Sequence, residues 1–193
     1  EVHNYLLLFP IMDKRLKELK VLILDCQATH PSPRAGRLLE IGWAETTAGE
    51  AGTGAAVEVD SYLAGPPEQF EIPKAVTRVT GIHADSLKCG HGPEEIGRRL
   101  YRCIRQTAAA AGLDRCPTVI HFARYEIPWL KDLFNRCGSA DPFPLQVICT
   151  HEMARRLLPG LPRKGLRAVA GYLGHSVDAL RRCTAHVRAT ALI

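Results

Sequence analysis

The apolar residues of the chain gather in short runs separated by loop chemistry. Val21, Leu22, Ile23 and Leu24 form a continuous β-prone run closed by Asp25, the pattern of a central strand buried on both faces where it emerges at the sheet edge. A second run, residues 38–46, holds Ile41, Gly42 and Trp43, and a third, residues 55–63, alternates through Val57, Val59, Ser61 and Leu63. The connecting segments 30–36 and 48–54 are rich in Gly, Pro, Ser and Thr. Three successive strands in an antiparallel meander are predicted.

Farther along the period lengthens. Residues 73–79 begin with Pro73 at a first helical position and are closed by Thr80 and Gly81, which predicts a short helix. From Pro93 to Gly112 the residues Ile96, Leu100, Cys103, Ile104 and Thr107 share one helical face, and Gly112 supplies the stop. Residues 117–121 read as a fourth strand, and residues 127–137 as a helix with Trp129, Leu130, Leu133 and Phe134 on one side. Residues 145–149 read as a fifth strand, and 150–158, 165–174 and 182–193 as helices. Strands first, then helices alternating with strands, predict an α/β fold with a mixed sheet flanked by helices. Trp43 and Trp129 lie in strongly apolar surroundings and are expected in the core. Residues 1–19 form a separate helical lead-in to one domain, residues 20–193.

Composition narrows the class. A chain of 193 residues suffices for one domain that buries about two thirds of its unfolded surface. With 46% hydrophobic and 23% charged residues it is neither disordered nor fibrous. No apolar run approaches the roughly 20 residues of a membrane span, so no membrane partner is expected. Cys26, Cys89, Cys103, Cys116, Cys137, Cys149 and Cys183 are odd in number, scattered and without a CxxC pair. That argues against zinc knuckles and a secreted disulfide framework, and for free buried thiols in a cytoplasmic protein. A net charge of +5 permits a polyanionic partner. The chain opens on Glu1 and stops at Ile193 inside a helical pattern, from which a fragment of a longer protein is expected.

The chemistry-bearing residues follow one another in a particular order. Asp25-Cys26-Gln27-Ala28-Thr29 ends the first strand, Leu39-Glu40-Ile41-Gly42 lies in the second, and Ile72-Pro73 and Thr80-Gly81-Ile82 frame the short helix. His121-Phe122-Ala123-Arg124-Tyr125-Glu126 follows the fourth strand, and Ala154-Arg155-Arg156-Leu157-Leu158-Pro159-Gly160 ends a later helix. In this order and spacing the chain, from residue 20 to 193, resembles the DnaQ-like 3′–5′ exonucleases, the proofreading-subunit and RNase T family. The resemblance implies a ribonuclease H-like mixed five-stranded sheet flanked by helices.

It also implies a chemistry. In that family two divalent ions, about 3.5–4 Å apart, clamp the scissile phosphate between convergent carboxylates, while a histidine activates water. The carboxylates and the histidine come from the motifs D-x-E, H-N-A-x-F-D and H-x-x-x-x-D. Asp25 falls on the first acid, Gln27 on the glutamate of the same motif, and Glu126 on the aspartate of the second. With Leu173-Gly174 and the segment Arg188 to Ala191 as anchors, Arg181 falls on the histidine and His186 on the last aspartate. An alternative register that makes His186 the base leaves Ala191 on the carboxylate. The amide of Gln27 keeps an acceptor and loses the charge, and an arginine stays protonated and cannot serve as the base.

Asp25 and Glu126 are then the carboxylates left to meet Mg²⁺ or Mn²⁺. The expected function is a degenerate exonuclease domain with little or no nuclease activity. It would bind single-stranded DNA or RNA 3′ ends or other domains of its own longer chain. The alternatives are an active exonuclease with one ion, such as Mn²⁺, on Asp25, Glu126 and His186, and a purely architectural module. Read without the resemblance, Asp25 also suits a sheet-edge cap, Glu126 a solvated acid in the first turn of a helix from Ile127, and His186 an exposed helical face. Arg34 and Arg124, with Arg37, Arg163 and Lys164, are candidate phosphate contacts. His30, His83, His91, His151 and His175 show no ligand spacing.

Overall fold

The computed structural model describes residues 15–53, 56–65, 71–138 and 142–193. Most of the expected lead-in, residues 1–14, lies outside them, and residues 15–18 form one helical turn. The strands are β1 (Lys20–Ala28), β2 (Leu38–Thr47), β3 (Asp60–Leu63), β4 (Cys116–Ile120) and β5 (Leu145–Cys149). They make one mixed sheet in the order β3-β2-β1-β4-β5. β2 is antiparallel to both β1 and β3, whereas β4 is parallel to β1 and β5. The helices are α1 (Lys74–Thr80), α2 (Ala84–Leu87), α3 (Pro93–Ala111), α4 (Ala123–Arg136), α5 (Thr150–Leu157), α6 (Leu166–Tyr172) and α7 (Cys183–Ala191).

β1 is buried along almost its whole length because both faces of the sheet are covered. Leu22, Leu24 and Cys26 point to one face, where they join Ile96, Leu100 and Ile104 of α3 and Leu130, Leu133 and Phe134 of α4 in the main core. Ile23 points to the other and packs with Ala44 and with Val187 and Ala191 of α7. Side chains alternate along a strand, so Asp25 and Gln27 share the face of Ile23 and look toward α7. Cys26 faces the core, as its position predicts. This two-residue phase decides which side chains reach the site.

The structure departs from the sequence reading at particular places. β1 runs past Asp25 to Ala28, so that acid lies inside a buried strand and not at its exit. β3 is confined to four residues against an expected run from 55 to 63. The hairpin opens beyond the Trp43 and Asp60 pair, and its loop is pinned elsewhere, with Gly52 N–H donating to the Ala191 carbonyl at the end of α7. Val57 and Val59 still pack on the α7 face without strand pairing. α2 is an added turn of helix whose Leu87 is buried with Leu39 and Ile82. Pro73 precedes α1 as its cap and is not its first helical residue. Of the expected buried thiols, Cys26, Cys116 and Cys183 are buried, Cys103, Cys137 and Cys149 are half-buried, and Cys89 is exposed.

The largest difference concerns α4. It starts at Ala123 and not at Ile127, and Pro128 is accommodated inside it. Chain reversal between β4 and α4 occurs at Phe122, with φ 70° and ψ 49°, the one non-glycine residue of positive φ among the described residues. A left-handed conformation costs an L-residue roughly 1–2 kcal/mol. The early start turns Glu126 inward, leaving it 2% exposed, and excludes the solvated first-turn acid.

Candidate active-site cleft

The parallel pair β1 and β4 ends in a cleft of about 720 Å³ whose floor carries Asp25, Gln27, Glu126 and His186. Residues Val76 and Val79 of α1, Phe122 and Leu166 form its walls, and Arg181 stands at its margin. Three elements supply the floor: β1 brings Asp25 and Gln27, α4 brings Glu126 and α7 brings His186.

His186 Nδ1–H donates to Asp25 Oδ1 at 3.2 Å. Burial works to lower the His186 pKa, but the bond to Asp25, the Asp25 charge and the Leu180 carbonyl together hold it above the ordinary histidine value. The exposed-face reading of His186 is therefore replaced by a half-buried partnership with Asp25. Gln27 Nε2–H donates to the Arg181 carbonyl, so Arg181 takes part in the floor through its backbone. Glu126 is pushed well above the usual carboxylate range by burial first and by the nearby Asp25 charge second, against which the Cys26 backbone N–H works. Asp25 Oδ2, Gln27 Oε1 and Glu126 Oε2 are buried and have no hydrogen-bond partner among the described residues.

Closeness between α7 and the sheet has its own sequence basis. Gly42 lies directly across from Asp25, and a Cβ there would come within 3.0 Å of Cys183 Cβ at the start of α7. Glu40, across from Gln27, accepts from Arg182 Nε at 2.9 Å, Arg182 Nη2 at 2.7 Å, Cys183 N at 3.0 Å and Ser61 Oγ at 2.9 Å. Burial alone would raise the Glu40 pKa; the Arg182 and Cys183 hydrogen bonds hold it below the ordinary value. Arg167 secures the preceding loop by donating to the Val177 and Leu180 carbonyls. Sequence reading missed this buried clamp, whose only signal was an acid inside an apolar strand.

His121 is a fixed structural histidine. Its Nε2–H donates to the Lys164 carbonyl at 3.0 Å, and its Nδ1 pairs with Thr150 Oγ1 at 2.9 Å. Burial lowers its pKa to about 4, so it is neutral and ties the 158–165 loop to the sheet. His151, without ligand spacing in the sequence, lies in the cleft wall, its ring 4.7 Å from that of Phe122 in an edge-to-face contact. Phe122 is 43% exposed; its signal was an aromatic at the asparagine position of the second motif. Arg34 lines a separate groove with Arg37, Glu71 and Pro73, and Arg124 is exposed on α4. Neither lines the cleft.

The floor offers two carboxylates and one neutral amide to a divalent ion. Its carboxylates are Asp25 and Glu126, Asp25 is engaged by His186, and Gln27 carries no charge. Among the described residues no group of three or more His, Cys, Asp or Glu side chains is disposed to hold a metal ion.

A mixed five-stranded sheet with helices on both faces, and acids gathered just past the parallel pairing of its two central strands, defines the ribonuclease H-like exonuclease class. Residues 22–185 match the RNase T exonuclease family, and the chain belongs to that family, with the DnaQ-like 3′–5′ exonuclease fold. It superposes on the zinc-bound complex of E. coli exonuclease I with single-stranded DNA at a TM-score of 0.71 and 13% identity, covering 90% of this chain and 39% of that one. The complex of the same enzyme with a dT13 oligonucleotide gives 0.71 and 13%, over 89% and 39%. Exonuclease X in complex with 5′-overhanging duplex DNA gives 0.60 and 18%, over 89% and 88%. The chain thus spans 39% of the length of the exonuclease I chain. No curated protein sequence matches it.

Proposed function

We propose that this domain is an exonuclease-family module that has lost two-ion hydrolysis and keeps its cleft as a binding surface for single-stranded DNA or RNA 3′ ends. The observation that carries the reading is the bond from His186 Nδ1 to Asp25 Oδ1 at 3.2 Å, at the position where the family has its last aspartate. A cation-prone ring replaces an anion and occupies the oxygen an ion would need. With Gln27 for the glutamate, the floor falls from four acids to two, and hard cations such as Mg²⁺ demand anionic oxygens. The Arg181 carbonyl is tied to Gln27, and an arginine cannot act as general base. The positive net charge favours a polyanion. Seven free thiols accord with a cytoplasmic location, and among the described residues no helix is long and apolar enough to cross a membrane.

The unpartnered oxygens of Asp25, Gln27 and Glu126 favour a second reading, an active exonuclease with a single variant ion such as Mn²⁺ on Asp25, Glu126 and His186. Incubation with 5′-labelled single-stranded DNA and RNA in Mg²⁺ and in Mn²⁺, with Asp25→Ala as control, separates the two. Intact substrate, bound with an affinity that falls steeply with salt, is expected. A ladder of shortened products that disappears with Asp25→Ala overturns the proposal. Absence of any affinity, with tight binding to another segment of a longer chain, would leave a packing module.

A further inference from the structure

Two features of the cleft are left over by the reading above, and they are independent of each other. The first is Phe122, forced into the left-handed region at the turn into α4 and 43% exposed beside the cleft. Backbone strain of this kind persists where the surroundings impose it, and it concentrates at functional positions. Here it projects an aromatic ring to the mouth of the cleft, braced edge-on by His151. The second feature is the floor. Two of its donors are engaged, one N–H of Gln27 Nε2 by the Arg181 carbonyl and His186 Nδ1–H by Asp25. Left unpartnered are two acceptors, Asp25 Oδ2 and Gln27 Oε1, on side chains that are each at least nine-tenths buried.

A phosphate facing such a floor would meet oxygen lone pairs. A planar group with N–H donors on its edge would meet complementary acceptors, while its face lay against an aromatic wall. We infer that the cleft captures an unpaired nucleobase bearing an exocyclic amine, with Phe122 as the stacking platform and the Gln27 and Asp25 oxygens as the acceptors that read the amine. Cytosine and adenine present an NH₂ group. Thymine presents one N–H flanked by two carbonyl oxygens and can satisfy one floor acceptor, whereas an exocyclic NH₂ carries two N–H donors and can give one to each of two acceptors. The cleft volume of about 720 Å³ accommodates a base with its sugar. The inference rests on the nucleic-acid reading proposed above and adds a selectivity that salt-dependent phosphate contacts do not produce.

The test is fluorescence anisotropy of the full chain with labelled oligo-dC and oligo-dT of equal length at modest salt, in EDTA so that no ion bridges the floor. Tighter binding of oligo-dC, by about tenfold for one satisfied amine contact, is the expected result. Phe122→Asn keeps a residue suited to the left-handed turn, and it should weaken both oligonucleotides by about tenfold, the scale of one lost base stack. Gln27→Met removes the acceptor and should bring oligo-dC down to oligo-dT. Equal wild-type affinities, or a preference that survives Gln27→Met, overturn the amine reading while leaving nucleic-acid binding in place. Failure of both oligonucleotides to bind overturns both readings. Binding of an oligo-arginine peptide in their stead also overturns both and assigns the floor to a cationic side chain.

Discussion

His186 and Asp25, separated by 161 positions in the chain, meet through Nδ1 and Oδ1 at 3.2 Å. The pair places a protonatable ring against the one acid that falls on the first position of the family's opening motif. It also links α7 to β1 at the base of the cleft.

The pair makes stability depend on pH in a defined direction. Burial opposes the charged ring, but Asp25, the Leu180 carbonyl and the more distant Glu40 charge outweigh it and raise the His186 pKa; His121, on the opposite side, is a neutral neighbour. A raised folded pKa contributes stability that is complete below the unfolded value, about 6.5, and is lost as pH rises through the folded value. His186→Gln should therefore cost more in urea denaturation at about pH 5.5 than at about pH 9. Asp25→Asn should bring the His186 titration, followed by NMR, to lower pH.

Glu126 behaves in the opposite chemical sense with the same sign. Burial, then the Asp25 charge, holds its pKa well above the ordinary value. Stability is therefore lost as pH rises from about 4.3, the unfolded value, through the folded one. Glu126→Gln removes the ionisable group and keeps the shape, so wild type minus variant stability should fall steadily with rising pH in thermal melts. A difference independent of pH would show that Glu126 is not buried as described.

The clamp on α7 should be among the costly polar sites. Breaking a buried ion pair from one side costs about 3–5 kcal/mol; Arg182 is 41% exposed at its side chain, so solvent reduces this to about 2 kcal/mol for Glu40→Gln. The Glu40 pKa lies below its ordinary value, so the contribution is present above the unfolded pKa and lost as pH falls through the folded one. Chemical denaturation at neutral pH and at about pH 3 reads both the size and the direction.

Phe122 offers a test of strain separate from binding. Asparagine is tolerated in the left-handed region, whereas a β-branched residue is not. Phe122→Asn should keep the wild-type melting temperature or exceed it, and Phe122→Val should lower stability by about 1 kcal/mol or more. Equal effects of the two would mean that the ring's contacts, and not the backbone, set the cost.

Much of the architecture was determined by the sequence itself, because strands and helices answer to local periodicity. The apolar run 21–24, the spacing of Ile96, Leu100 and Ile104, and the runs at 117–121 and 145–149 each identified an element. Order and spacing of Asp25, Gln27, Glu126, Arg181 and His186 also marked the candidate site. Tertiary structure alone decided what these residues do to one another. Glu126 is buried because the turn at Phe122 starts α4 early, a backbone choice with no periodic signature. His186 reaches Asp25 because Gly42 admits α7 and the Glu40 and Arg182 clamp holds its start. Such contacts join residues far apart in the chain, and their geometry depends on strand register and helix approach, which local patterns do not encode.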